Sequence, residues 1–177
     1  LFRSVVLEGG AKPEIGILRT RAEMPWAGHM AEHGTPEIYA QIRKHRTTIV
    51  FVNTRAQAEI VFQGLWRINE DNLSIGIHHG SLEPEQRRKV EAAMTRGALR
   101  AVVATSSLDL GIDWGGVDLV IQMGAPKGAS RLIQRIGRAN HRLDEPSRAL
   151  LVPGNRFEAL ECRAAIEAVD RGELDGD

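Results

Sequence analysis

Three guanidinium groups and a histidine fall within one short stretch, Gln134–Arg135–Ile136–Gly137–Arg138–Ala139–Asn140–His141–Arg142. On a helix, Gln134, Arg138 and His141 lie at i, i+4 and i+7 and share a face, and Arg131 and Arg135 form a neighbouring stripe. Planar cationic forks held in a row suit the charge that builds on a polyphosphate as it is cleaved. A solvated basic face has the same pattern. Gly137 costs about 1 kcal/mol against Ala inside a helix, so its presence points to close packing there.

Three further segments carry polar groups at places where strands pass into helices. Val52–Asn53–Thr54–Arg55 can hold a phosphate oxygen on its side chains and on the helix start behind it, or can be a plain helix cap. His78–His79–Gly80–Ser81–Leu82 contains adjacent histidines. Neighbours on a strand point to opposite faces, and no further ligand has suitable spacing, so no metal site is expected. The Gly-Ser turn can instead bring backbone N–H groups to a phosphate. Ala104–Thr105–Ser106–Ser107–Leu108–Asp109–Leu110–Gly111–Ile112–Asp113 runs from a strand into hydroxyls, then a glycine that permits close approach, then an acid placed to accept from a ribose hydroxyl. A Ser/Thr cap followed by an Asp turn is the plainer alternative.

The elements that must position these groups alternate strand and helix, which predicts an α/β fold: a RecA-like three-layer sandwich with a mostly parallel central sheet flanked by helices. Strands are expected over 14–19, 47–53, 73–79, up to Thr105, over 117–122 and over 149–152. Helices are expected from Thr35 to about His45, after Asn53–Thr54 with the apolar Val61, Phe62, Leu65 and Ile68 at helical spacing, from Pro84 to Gly97, over 129–139, and from a capping pair Asn155 and Glu158 with Phe157, Leu160, Ala164 and Ala168 on one face. Trp66 is expected in the core. In open α/β sheets ligands bind beyond the carboxyl ends of the strands, where the four polar segments stand. The expected organisation is an N-terminal linker and entry segment of the lobe over 1–46, the RecA-like lobe proper over 47–170, then a frayed acidic tail over 171–177.

Composition excludes more than it assigns. Lys plus Arg equals Asp plus Glu, 23 of each, so bulk charge does not signal nucleic acid. A local basic stripe from Lys127 to Arg148 can still follow a phosphate backbone. No apolar run is long enough to span a bilayer. Cys162 stands alone, which rules out an internal disulfide and fits a reducing cytosol. The opening LFRSVVLEGG has no initiator Met and no signal-peptide pattern, as expected of a segment cut from a longer chain.

Taken in order, the four segments resemble motifs IV, IVa, V and VI of superfamily 2 helicases. Gln134, Gly137 and Arg138 match QxxGRxxR of motif VI, and Ala104–Thr105 with Gly111–Ile112–Asp113 match motif V. Within that superfamily, SSLDLGIDWGGVDLVIQ, QRIGRANHRLDEPSRALLVPGNRF and ECRAA resemble the Lhr-type and ligase-associated DEXH-box DNA-repair helicases. His141 replaces the last Arg of motif VI, with Arg142 beside it, as in Lhr-type proteins, and the role of these two stays open.

The resemblance implies the second lobe of a helicase that closes on ATP and Mg²⁺ held mainly by an N-terminal sibling lobe. Arg138 is then the arginine finger, with Gln134 and His141 as its catalytic companions. Gly111, Asp113, Arg135 and Gln134 meet the nucleotide. Asn53, Thr54, Arg55, His79, Gly80, Ser81, Thr105 and Ser106 grip the phosphates of one DNA strand. Movement 3′→5′ on single-stranded or partly duplex DNA, or on an RNA–DNA hybrid, is implied, as are a downstream winged-helix domain and a bacterial cytosolic, nucleoid-associated setting. The absence of GxxxxGK[ST] predicts that this segment alone does not hydrolyse ATP. A free-standing nucleic-acid or partner-binding lobe is the alternative. A Rossmann-type oxidoreductase is disfavoured, because no GxGxxG follows the first strand.

Overall fold

The computed structural model describes residues 3–4, 13–28, 32–109, 116–138, 146 and 148–173. Gly111, Asp113, Trp114, His141 and Arg142 lie outside the described residues. The strands among the described residues are β1 (Arg3–Ser4), β2 (Glu14–Ile17), β3 (Thr48–Phe51), β4 (Ile75–His78), β5 (Ala101–Ala104), β6 (Leu119–Met123) and β7 (Arg148–Val152). The helices are α1 (Thr35–Lys44), α2 (Arg55–Arg67), α3 (Pro84–Thr95), α4 (Ala129–Arg138) and α5 (Arg156–Arg171). The sheet order is β1-β2-β7-β6-β3-β5-β4, with only the β1–β2 pair antiparallel.

The three-layer expectation holds because the strands alternate. Ile49, Phe51, Val102, Ala104, Val120 and Leu151 pack on one face with Met94 of α3, Leu132 and Ile136 of α4, and Cys162 and Ile166 of α5. Val50, Val103, Leu119, Ile121 and Leu150 pack on the other face with Ile38 and Ile42 of α1 and Val61 and Leu65 of α2. A period of 2 on strands buried from both sides yields continuous apolar runs, as in a parallel sheet covered by helices. Within the entry segment, β2 pairs with β7 along its whole length and α1 supplies core residues. Among the described residues no helix is long and apolar enough to cross a membrane.

Two packing expectations fail. α5 begins at the Asn155 cap, whose side chain accepts from the Glu158 N–H at 2.9 Å, and Glu158 turns inward to accept from the N–H groups of Gly154 and Ala125. That anchor turns a different face of the helix inward, burying Glu158, Cys162, Ile166 and Val169 and leaving Phe157 and Leu160 63% and 62% exposed. Trp66 is not core either. It is 47% exposed and meets Phe62 edge-to-face, because Val61 and Leu65 already fill the inward stripe of α2. Trp26 is exposed beneath the Arg156 guanidinium, 4.1 Å from the ring centroid.

Cys162 is fully buried, and desolvation, followed by the nearby Glu158 and Glu161 carboxylates, pushes its thiol up to about 12. A folded-state value above the unfolded one means that the native protein keeps a proton the unfolded chain releases. Stability is therefore complete below pH 9 and falls as pH rises toward 12. A thiol-reactive dye at pH 8 is expected to label Cys162 only after denaturation; rapid stoichiometric labelling of the native protein would contradict this burial.

Candidate functional site

Because six strands run parallel, the segments leaving β3, β4, β5 and β6 emerge at the same edge of the sheet. Thr54 caps α2 by accepting from the Gln57 N–H at 3.2 Å, which leaves Arg55 at the exposed first position of the helix. Arg55 reaches across to the Ser81 hydroxyl at 2.7 Å. The Thr105 N–H donates to the His78 carbonyl at 3.1 Å. Thr54, Arg55, Gly80, Ser81, Thr105 and Ser106 are thereby brought together on one rim, as the sequence predicts. Gly80 has open space where a Cβ would stand, so its backbone is accessible.

His79 and Asn53 sit deeper than the sequence suggests. His79 is 4% exposed, and its Nδ1 accepts from the Ser81 N–H at 3.2 Å. Nε2 must then carry the proton that it donates to Glu59 at 2.8 Å. His79 therefore sets the turn at Ser81 from below. His78 points the other way, to Glu91 at 2.9 Å and Ser107 at 2.8 Å, as expected of neighbours at a strand end. Asn53 donates to the Ala125 carbonyl at 3.3 Å and accepts from Gln122, joining the β3 and β6 exits.

On α4 the two arginines part company. Arg135 is 7% exposed; it grips both Asp109 carboxylate oxygens at 2.9 and 3.0 Å, donates to Gln122 Oε1 at 2.8 Å and lies 3.8 Å from the Phe51 ring centroid. The expected nucleotide-facing role of Arg135 gives way to an internal one, since its donors are engaged inside the lobe. Gln134 is exposed. Arg138 is half-buried at the end of α4 and donates to the Asp109 carbonyl.

Asp109 is thus the hub, taking one arginine on its side chain and the other on its backbone. It closes the short 3₁₀ turn Ser106–Asp109 that begins at the strand-end rim. The sequence includes Asp109 in a polar segment but assigns it nothing. The available signal was Gln122, a lone amide in an otherwise apolar strand that had to find partners.

This arrangement joins the α4 cations to a rim able to hold phosphates. The helicase conserved C-terminal domain family matches residues 34–142. The chain belongs to that family. The chain is 42% identical over 137 residues to an ATP-dependent helicase Lhr-Core of Sulfolobus acidocaldarius, a match that covers 74% of this chain and 16% of that protein. It is 36% identical over 168 residues to an Lhr helicase/uracil glycosylase of Escherichia coli, covering 78% and 11% of the two chains. A structure of Mycobacterium smegmatis helicase Lhr bound to ssDNA and AMP-PNP superposes with a TM-score of 0.78 at 34% identity, covering 91% of this chain and 22% of that one. The chain therefore spans about a sixth of the Lhr-Core relative. It is a helicase C-terminal lobe of Lhr type, with the RecA-like fold that the motifs imply.

Proposed function

We propose that this lobe works as the second half of an ATP-dependent DNA helicase or translocase, supplying an arginine finger and a DNA-phosphate grip to a site completed by an N-terminal lobe. The observation that carries this reading is Asp109, which fixes Arg135 and Arg138 to the same short turn that starts at Ser106 on the rim. Movement at the nucleotide side and movement at the strand-holding side are then movements of one rigid piece.

In this reading Arg138 leaves the neutral Asp109 carbonyl for the γ-phosphate when the lobes close, since a charged acceptor makes the stronger hydrogen bond. Gln134, exposed on α4, orients toward the nucleotide, and His141 serves as the finger's catalytic companion. Gly111 and Asp113 take the ribose. Thr54, Arg55, Gly80, Ser81, Thr105 and Ser106 hold the phosphates of one strand, positioned by Asn53 and His79.

The residues present fit a finger but not a cradle. The chain has no GxxxxGK[ST], and among the described residues no group of three His, Cys, Asp or Glu side chains stands together for a metal. The other lobe would hold ATP and Mg²⁺, the ion neutralising charge on the phosphates. Closure on ATP and reopening after hydrolysis ratchet the grip along single-stranded or partly duplex DNA, or along an RNA–DNA hybrid, in the 3′→5′ direction. We place the whole protein in the bacterial cytosol with the nucleoid, with a winged-helix domain following this lobe.

ATP hydrolysis by the full-length protein, with and without single-stranded DNA, tests the reading. Stimulation by DNA is expected, with no turnover by the isolated 177-residue chain. Hydrolysis by the isolated chain, or indifference of the full-length enzyme to DNA, would overturn it.

A further inference from the structure

At the sheet edge between the β3, β5 and β6 exits lies a niche lined by Val52, Asn53, Ser106, Lys127, Arg131 and Arg135. Its volume, about 20 Å³, admits one water or one oxygen of an anion. Two of the polar linings are already committed, Asn53 to Ala125 and Gln122 and Arg135 to Asp109 and Gln122. The other three are not. Ser106, Lys127 and Arg131 are exposed, and none makes a side-chain hydrogen bond or ion pair with any described residue. Among the described residues no carboxylate lines the niche, and the Asp109 charge is balanced by Arg135.

The position of these cations is itself unusual. Arg131 lies in the first turn of α4 and Lys127 two residues before it, at the positive end of the helix dipole, and that turn holds no acid. Two cations gathered there repel the helix end and each other unless an anion sits between them. A hydroxyl, an ammonium and a guanidinium around an oxygen-sized hollow constitute a recognition set for phosphate. The anion is distinct from the one Arg138 would meet, because Arg131 and Arg138 stand seven residues apart on α4, about 10 Å along its axis. Ser106 leads into the turn that Asp109 closes, so an anion here loads the rim rather than the nucleotide end.

We propose that Ser106, Lys127 and Arg131 form a subsite for one backbone phosphate of the bound nucleic-acid strand. It extends the grip from the β3–β4–β5 rim onto the start of α4. The proposal rests on reading that rim as a nucleic-acid grip.

The test is fluorescence anisotropy of a labelled oligo-dT on the full-length protein over a range of salt, for wild type and for K127Q/R131Q, with the ATP KM measured alongside. The double variant is expected to bind roughly tenfold more weakly at fixed salt and to lower the slope of log K against log salt by about 0.7 to 1, one phosphate's share. Equal affinity and slope for variant and wild type overturn the subsite while leaving the rim intact. An ATP KM that rises while DNA affinity is unchanged also overturns it, assigning the niche to nucleotide. A wild-type protein that fails to bind the oligonucleotide overturns the rim reading and the subsite together.

Discussion

Replacing Arg138 by alanine in the full-length protein is expected to lower DNA-stimulated ATP turnover by about 10³ to 10⁵-fold, the range associated with an arginine finger. That corresponds to roughly 4 to 7 kcal/mol of transition-state stabilisation. The ground-state contact is much weaker. Arg138 donates to a neutral carbonyl at the half-buried end of α4, a hydrogen bond that contributes about 0.5 to 1.5 kcal/mol to the fold. Steady-state ATPase assays and thermal unfolding of the same variant separate the two quantities. Retained turnover, within about tenfold of wild type, would remove the finger assignment; a large thermal shift would recast Arg138 as a structural residue.

Arg135→Ala is expected to behave in the opposite way. Its guanidinium is 7% exposed and bound to Asp109, Gln122 and the Phe51 ring, so truncation strands a partly buried carboxylate and an amide. Breaking a buried pair from one side costs about 3 to 5 kcal/mol, and the partial exposure of Asp109 puts the expectation at the lower end. For a domain of this size the melting temperature should drop by roughly 6 to 12 °C. In a double-mutant cycle, Asp109→Ala should cost little more once Arg135 is gone, because their coupling is already lost. A drop below about 2 °C, or simple additivity of the two substitutions, would show that the pair does not hold α4 to the 3₁₀ turn.

Arg135 and Arg138 also mark the limit of what sequence shows. Three positions apart on one helix, they are chemically identical on paper, and the motif resemblance places both near a nucleotide. The carboxylate at position 109 and the amide at position 122 decide between them, and both arrive from other elements, the 3₁₀ turn and β6. Long-range partners of this kind are invisible to a local reading. The strands were legible for the converse reason. Ile49, Val50, Phe51 and Val52 alternate between two cores, and each alternate residue needs only a helix above it. α5 was misread because Phe157, Leu160, Ala164 and Ala168 form an apolar row at helical spacing, while the Glu158 anchor that sets the rotation is a polar residue no apolar pattern counts. His79 was legible as part of the rim but not as its support, since only geometry shows Nδ1 receiving the Ser81 N–H.

The most direct measurement is a structure of the full-length protein with ADP–aluminium fluoride and single-stranded DNA. The Arg138 guanidinium should have left the Asp109 carbonyl and should stand about 3 Å from the fluoroaluminate, with Arg135 still clasped to the Asp109 carboxylate. An Arg138 still bonded to Asp109, with another side chain on the fluoroaluminate, would contradict the account.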